Sequence, residues 1–170
     1  LATHSFGQGI AVTPIQMVTA ISALANDGKM MMPHVVRSVI DQGQQYNVHP
    51  QVISSPVSAE TARTLTEMLA IALEEEASVA LVEGYRLAGK TGTGEIPTEL
   101  GYTSSLTNAS FVGWGPADDP KFLVYVWLEK PTISQWGSEV AAPIFSNVVE
   151  KLVVLMKIPP DNIRLGIANE

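Results

Sequence analysis

Three strand-like segments follow one another in the second half of the chain, and no helical pattern separates them. They lie at about residues 85–93, 108–115 and 122–129, and the last is dense in β-branched and aromatic residues. Residues 116–120 read Pro-Ala-Asp-Asp-Pro, which predicts a tight connector and an antiparallel hairpin between the second and third strands. Strands that run together, rather than alternating with helices, predict an α+β fold with an antiparallel sheet.

The signals that begin and end a helix are clearest over residues 14–27. Thr13 can cap this helix, Pro14 suits its first turn, and Gln16 completes a Thr-x-x-Gln capping box. Gly28 stands where a residue with a left-handed backbone often ends a helix. The apolar residues between these signals form one stripe at helical spacing.

Five further segments complete the prediction. In chain order they are a short strand, a loop or irregular edge, a helix capped by Ser58, a mobile loop and a last helix, at about residues 35–40, 44–56, 58–76, 94–107 and 143–156. The last helix repeats apolar residues at helical spacing, so we expect it to lie across the sheet and bury it.

Composition and charge exclude several classes of function. With 46% apolar and 16% charged residues, the 170-residue chain can form a packed core. Its formal net charge of −7 argues against binding to nucleic acid, which needs a cationic surface. The absence of cysteine excludes disulfides and thiolate catalysis, and the 3 histidines are isolated in the sequence, so we expect no metal site and no cofactor.

A glycine-rich strand is the candidate site. Residues 89–94 read Gly-Lys-Thr-Gly-Thr-Gly, and glycine inside a strand often marks the close approach of a ligand or another backbone. Alternation places Thr91 and Thr93 on one face and Lys90 on the other. An edge strand of this kind can pair with a peptide, and its hydroxyls and ammonium can bind a carboxylate. A glycine-rich strand end before a turn explains the same residues without a ligand.

The same segment also fits a phosphate-binding loop. Residues 84–91 satisfy Gly-x4-Gly-Lys-Thr, but such a loop must open into a helix whose N-terminus holds the phosphates. Gly92, Gly94 and Pro97 follow at once and disfavour that helix. A nucleotide site is therefore the weaker interpretation.

Five short motifs occur in a fixed order along the chain. They are Ser-Phe-Gly-Gln-Gly at residues 5–9, Thr-Pro-Ile-Gln at 13–16, Ala-Gly-Lys-Thr-Gly-Thr at 88–93, Phe-Val-Gly-Trp at 111–114 and Ala-Ala-Pro-Ile-Phe at 141–145. In this order they resemble the C-terminal half of a penicillin-binding transpeptidase domain of the monofunctional class B kind, from about residue 5 to 161. The resemblance implies part of a penicillin-binding and serine β-lactamase-like fold, whose sheet is incomplete without its N-terminal strands.

The resemblance implies a chemistry and a role for each residue of the Lys-Thr-Gly motif. Such enzymes attack the D-Ala-D-Ala bond of a peptidoglycan stem peptide with a serine, transfer the acyl group to an amine, and are trapped by β-lactams. Lys90, as a catalytic and substrate-binding residue, is expected to shape the proton network around the nucleophile. Thr91 and Thr93 are expected to bind the substrate carboxylate, and Gly92 to let the substrate approach. The Thr93 backbone N–H is expected to be a catalytic oxyanion donor.

The nucleophile of that family is missing from the chain. No serine is followed at the required spacing by lysine or asparagine, so the Ser-x-x-Lys and Ser-x-Asn motifs are both absent. In the family both motifs lie upstream of the matched region. We therefore expect one wall of the site here, no activity of the chain alone, and a need for the N-terminal half of the domain or a second chain. The outer edge of the strand at residues 122–129 should be open for the absent strands.

The remaining expectations also follow from the resemblance. Residues 1–161 are expected to be the C-terminal part of the domain, and residues 162–170 a tail. The first residue is not Met and no signal peptide is visible, so a leader was removed or the chain is a piece of a longer polypeptide. We expect a bacterial parent, anchored upstream, whose catalytic domain lies outside the cytoplasmic membrane.

Two alternative functions stay open at this point. A β-lactam sensor domain or a serine β-lactamase shares the Lys-Thr-Gly motif and the fold. A non-catalytic module would bind a stem peptide or a division partner without turnover.

Overall fold

The computed structural model describes residues 10–98 and 101–166. In chain order the helices are α1 Pro14–Ser22, α2 Ala59–Glu76, α3 Gly137–Val140, α4 Ala142–Leu155 and α5 Asp161–Arg164. The strands are β1 Met30–Met31, β2 Ser38–Asp41, β3 Gln44–Asn47, β4 Val52–Ser54, β5 Ala88–Thr98, β6 Gly101–Gly115 and β7 Phe122–Glu129. The predicted α+β class is confirmed. Within the two described ranges, no helix combines the length and the apolar content that crossing a membrane requires.

The largest sheet has three antiparallel strands in the order β5-β6-β7. Strand β6 pairs with β5 through Gly89↔Gly113 and with β7 through Gly115↔Phe122, which confirms the predicted hairpin. Among the described residues β7 pairs with no second strand, so its outer edge is open, as predicted. Strand β5, which carries the glycine-rich motif, forms the opposite edge.

Helices cover both faces of this sheet. On one face the buried ring of Phe111 lies 4.6 Å from the ring of Phe145 on α4. On the other face Trp114 packs with Ala88 of β5 and Ala70 of α2, and Ile21 of α1 is partly buried against them. Because side chains alternate along a strand, Phe111 and Gly113 of β6 face α4, whereas Trp114 faces α2.

The helix caps that the sequence predicts are present. The Thr13 hydroxyl accepts the Gln16 N–H at 3.3 Å, and the Gln16 side-chain oxygen accepts the Thr13 N–H at 2.9 Å, which completes the capping box. The Ser58 hydroxyl caps α2 by accepting the Thr61 N–H at 3.1 Å. Both helices therefore begin where their side chains satisfy free backbone donors.

The helix predicted over residues 14–27 ends earlier, at Ser22. The chain then tightens into a 3₁₀ turn over Leu24–Asn26, which is common at a helix C-terminus. Gly28 has a φ of 78°, as predicted, and a Cβ there would lie 2.1 Å from the Val57 carbonyl oxygen. This position therefore requires glycine for its backbone conformation and for the close approach of a neighbouring chain segment.

Residues 44–56, predicted as a loop or an irregular edge, contain the two short strands β3 and β4, so the loop alternative is wrong. Strand β3 pairs with β2 across a tight turn, where the φ angles of Gln42 and Gly43 are 49° and 79°. All residues of β3 are exposed, so no alternation of buried and exposed side chains marks it in the sequence. The strand predicted over residues 35–40 is confirmed in part, since β2 begins at Ser38.

The prediction of a loop over residues 94–107 is also wrong for residues 94–98 and 101–107, and residues 99 and 100 lie outside the described ranges. Strands β5 and β6 continue as a paired ladder through Gly94↔Asn108 and Glu95↔Thr107, with a register shift before Pro97. The ladder is held by backbone hydrogen bonds, so it persists where the side chains have the composition of a loop.

A polar network fixes the chain after α4. Arg164 forms a two-point ion pair with Asp118, which lies in the connector between β6 and β7, and it also contacts Asp161. Asp161 in turn accepts the Arg86 N–H at 2.7 Å, just before β5 begins. The network joins α5 to the strand that carries the glycine-rich motif. The predicted boundary between residues 161 and 162 stays a prediction.

Candidate active-site wall

The Lys-Thr-Gly motif lies on β5, at an edge of the sheet. Its residues pair with β6 in the register Lys90↔Val112, Thr91↔Phe111, Gly92↔Ser110 and Thr93↔Ala109. Because directly paired residues share a face, Thr91 and Thr93 lie on the face of the sheet that α4 covers, and Lys90 lies on the opposite face. The alternation predicted from the sequence is thus confirmed.

Lys90 presents an exposed ammonium at this edge. Its Nζ donates a hydrogen bond to the Thr91 hydroxyl at 3.2 Å. In the part of the chain that the structure describes, no carboxylate forms an ion pair with Lys90. The charge is therefore available to an anion or to a hydroxyl that reaches the motif.

Two arginines of the described chain, Arg86 and Arg164, form ion pairs away from the motif. Arg86 donates to both carboxylate oxygens of Glu67, at 2.7 and 2.8 Å, and this hydrogen bonding lowers the pKa of the Glu67 carboxyl. The Arg164 guanidinium likewise holds the pKa of the Asp118 carboxyl below its usual value. These pairs are structural, so Lys90 is the cation whose position suits chemistry at β5.

Thr93 is held by the start of α3. Its Oγ1 accepts a hydrogen bond from the Gly137 backbone N–H at 3.3 Å, across 44 positions of sequence. A hydroxyl that accepts in this way keeps its own proton free to donate. Thr93 can therefore act as a hydrogen-bond donor toward a ligand at the strand edge.

Small residues allow the close packing around the motif. A Cβ at Gly92 would lie 2.5 Å from the Ser110 Oγ. A Cβ at Gly137 would lie 2.3 Å from the Ser110 carbonyl oxygen and 2.7 Å from the Gly92 carbonyl oxygen. The start of α3 thus approaches the backbone of the β5–β6 ladder directly at the motif. Sequence reasoning missed Gly137 and Ser110, although Gly137 lies just before the Ala-Ala-Pro motif.

A cavity of about 200 Å³ opens beside the motif. Its lining includes Lys90 and Thr91 of β5, Glu76 at the end of α2, and Ser138 of α3. A larger cavity of about 450 Å³ lies elsewhere, among the ion pairs of Arg63, Arg86 and their partners. The smaller cavity is the one with the hydroxyl and ammonium donors suited to a carboxylate.

The rival site types do not match the structure. Strand β5 continues past Thr91 to Thr98 instead of opening into a helix, so the phosphate-binding loop is wrong. Asp118 and Asp119 form ion pairs with Arg164 and Lys121, in agreement with a structural turn. Across the described ranges, no cluster of three potential metal ligands occurs.

Comparison with known proteins identifies the family. The model of the penicillin-binding protein transpeptidase domain matches residues 1–150. The chain belongs to this family. The resemblance that the sequence motifs indicate is thereby confirmed.

Individual members of the family agree with this assignment. The chain is 38% identical over 165 residues to the stage V sporulation protein D of Bacillus subtilis, covering 94% of this chain and 25% of that protein. It is 33% identical over 166 residues to the probable peptidoglycan D,D-transpeptidase PbpC of Pseudomonas aeruginosa, covering 96% of this chain and 28% of that protein. The chain therefore spans about a quarter of the length of these relatives.

A solved structure supports the fold. Penicillin-binding protein 3 from Mycobacterium tuberculosis, complexed with aztreonam, superposes with a TM-score of 0.83 and 28% identity. The match covers 94% of this chain and 38% of that one. The predicted penicillin-binding fold is thus confirmed, and the described chain forms part of it.

Proposed function

We propose that this chain forms one wall of the active site of a class B peptidoglycan D,D-transpeptidase. The single observation that carries the proposal is the placement of Lys90, Thr91 and Thr93 on one edge strand, where Lys90 and Thr91 line a cavity and Lys90 has no ion pair among the described residues. An edge strand can pair with an extended peptide, and these side chains suit the terminal carboxylate of a D-Ala-D-Ala stem.

The proposed reaction divides between this chain and a part of the protein outside the sequence. A serine elsewhere attacks the carbonyl carbon of the penultimate D-Ala, and the terminal D-Ala leaves as the amine. An amine of a neighbouring strand then attacks the acyl-enzyme and releases the serine. Lys90 contributes positive charge near the nucleophile, Thr91 and Thr93 bind the carboxylate, and Gly92 keeps the strand open to the peptide. The Thr93 backbone N–H is proposed as one donor to the oxyanion.

The proposed partners follow from the same placement. They are the D-Ala-D-Ala stem peptide, the β-lactams that mimic it, and the segment or second chain that supplies the serine and completes the sheet at β7. We also propose that the protein acts in the bacterial cell envelope, with its catalytic domain outside the cytoplasmic membrane, and relatives named as peptidoglycan D,D-transpeptidases support this proposal.

A pair of lysine variants in the complete transpeptidase domain tests the proposal. Lys90→Met keeps the length of the side chain and removes its charge, so acylation by benzylpenicillin should slow by roughly a hundredfold or more. Lys121→Met is the matched control, because Lys121 is exposed and pairs with Asp119 in the connector. Its acylation rate should stay within about twofold of the parent. Equal rates for all three proteins would contradict the proposed role of Lys90.

The fate of the acyl-enzyme separates this function from its rivals. A transpeptidase transfers the acyl group to an amine acceptor, whereas a β-lactamase hydrolyses the β-lactam adduct quickly and a sensor retains it without transfer. We expect a long-lived penicillin adduct and transfer of a D-Ala-D-Ala substrate to a D-amino acid acceptor. A complete domain that binds stem peptide but is never acylated would instead be a non-catalytic module.

A further inference from the structure

The contact between α3 and β5 has a chemical consequence for substrate binding. Gly137 is buried, and its N–H donates to the Thr93 hydroxyl at 3.3 Å. The backbone of Gly137 can come this close because it has no Cβ, which would lie 2.3 Å from the Ser110 carbonyl oxygen. A side chain at position 137 would therefore move α3 away from the strand.

The hydrogen bond restricts what the Thr93 hydroxyl can do. A threonine hydroxyl has one proton to donate and two lone pairs to accept with, and the Gly137 N–H occupies one lone pair. The proton of the hydroxyl therefore points away from the Gly137 amide. A hydroxyl that already accepts one hydrogen bond is also polarised into a stronger donor. Both effects favour an anionic acceptor at the strand edge.

We propose that Gly137 is a positioning residue, whose N–H orients the Thr93 hydroxyl as a donor to the carboxylate of the stem peptide or β-lactam. This inference rests on the proposed function and extends it to a residue outside the Lys-Thr-Gly motif. Gly137 itself does not contact the substrate. Its effect passes through Thr93, so it is specific to ligands that carry the anion.

The test compares benzylpenicillin with its neutral methyl ester in the complete transpeptidase domain. Gly137→Ala should slow acylation by the free acid about tenfold, the loss expected for one hydrogen bond to a charged group. Acylation by the ester should change by less than about twofold, because it offers no carboxylate to Thr93. Equal slowing of both reactions, which is expected if Gly137→Ala only loosens the fold, would overturn the inference.

A second variant tests whether Gly137 acts through the Thr93 hydroxyl. Thr93→Val removes the hydroxyl at nearly constant shape, so it should reduce the preference for the acid over the ester by about tenfold or more, while Thr91 and Lys90 still bind the carboxylate. Adding Gly137→Ala to Thr93→Val should then cause no further loss in the rate of acylation by the free acid. If the losses of the two single variants instead multiply in the double variant, the inference is overturned. Ser134→Ala is the matched control, because it removes a hydroxyl that accepts the Trp136 N–H at 3.2 Å in the same loop. It should leave the preference unchanged.

Hydrogen exchange provides a measurement that does not depend on the folding of Gly137→Ala. In Thr93→Val the Gly137 amide loses its acceptor, so its exchange with solvent should accelerate about tenfold. An unchanged exchange rate would overturn the inference.

A parent domain that benzylpenicillin does not acylate overturns the proposed function itself. If the parent is acylated but Gly137→Ala shows no loss of rate specific to the free acid, only the role of Gly137 is overturned.

Discussion

Substitution of Gly113 in β6 tests how tightly the sheet and α4 pack behind the strand that carries the Lys-Thr-Gly motif. A Cβ at this position would lie 2.6 Å from the Cζ and 2.8 Å from the Cε2 of Phe145, and 3.0 Å from the Ala88 carbonyl oxygen. The ring of Phe145 is fully buried and packs against the ring of Phe111 at a tilt of 45°, so it has little room to move. We predict that Gly113→Ala destabilises the domain through this ring.

The magnitude follows from two opposing effects. Overpacking of a well-packed core costs about 1–3 kcal/mol, and replacing a strand glycine by alanine returns about 0.5–1 kcal/mol. Taking the middle of each range, the expected net loss is about 1 kcal/mol in the free energy of unfolding. Phe145→Leu alone should cost about 1 kcal/mol, because it leaves unfilled volume. In the double variant the smaller Leu admits the new methyl group, so the two losses should partly cancel.

Urea denaturation of the complete domain measures these free energies. The coupling energy between Gly113→Ala and Phe145→Leu should be at least about 1 kcal/mol in the compensating direction. Gly94→Ala is the matched control, since a Cβ at Gly94 meets no atom within 4 Å. It should be neutral or slightly stabilising. Additive losses in the double variant, or a Gly113→Ala protein as stable as its parent, would refute the packing that we describe.

Three further predictions concern the helix cap, the ion pairs and the open edge. Ser58→Ala should lower the unfolding free energy by about 1 kcal/mol in urea denaturation, because the Thr61 N–H loses its acceptor. Because Arg164 lowers the pKa of Asp118 in the folded state, this pair stabilises the fold above the ordinary Asp value of 3.8 and is lost as the pH falls through the lowered pKa. Arg164→Met should therefore lower the melting temperature at neutral pH and have less effect in acid. The chain without its companion segment should self-associate through β7 in sedimentation velocity, and addition of that segment should reduce the association.

Much of the fold was predictable because local signals determine it. The caps at Thr13 and Ser58, and the proline-rich connector after β6, act within a few residues and are visible in the sequence. Strand β3 was missed because its residues are exposed on both faces, so burial leaves no pattern there. The extension of β5 and β6 was missed because backbone pairing holds it.

The candidate site was likewise predictable where a local pattern determines it and missed where packing between distant residues determines it. Simple alternation along one strand predicts which face of the sheet carries Lys90 and which carries Thr91 and Thr93, and the register confirms this prediction. The contact of Gly137 with Thr93 joins residues 44 positions apart, and it depends on how α3 packs against the ladder. No local pattern reports such a contact. The roles of the motif residues in binding and catalysis stay predictions, since the proposed reaction also needs a nucleophile and the Ser-x-x-Lys motif that would mark it is absent from this sequence.

The central claim is that this chain supplies a wall of the site and not the serine. Intact mass spectrometry tests it most directly, after labelled benzylpenicillin is added to the chain alone and to the complete domain cut by protease between its two parts. We predict an unmodified mass for the chain alone, and in the complete domain a label on the part that precedes this sequence. A penicillin adduct on a serine of this chain would contradict the claim.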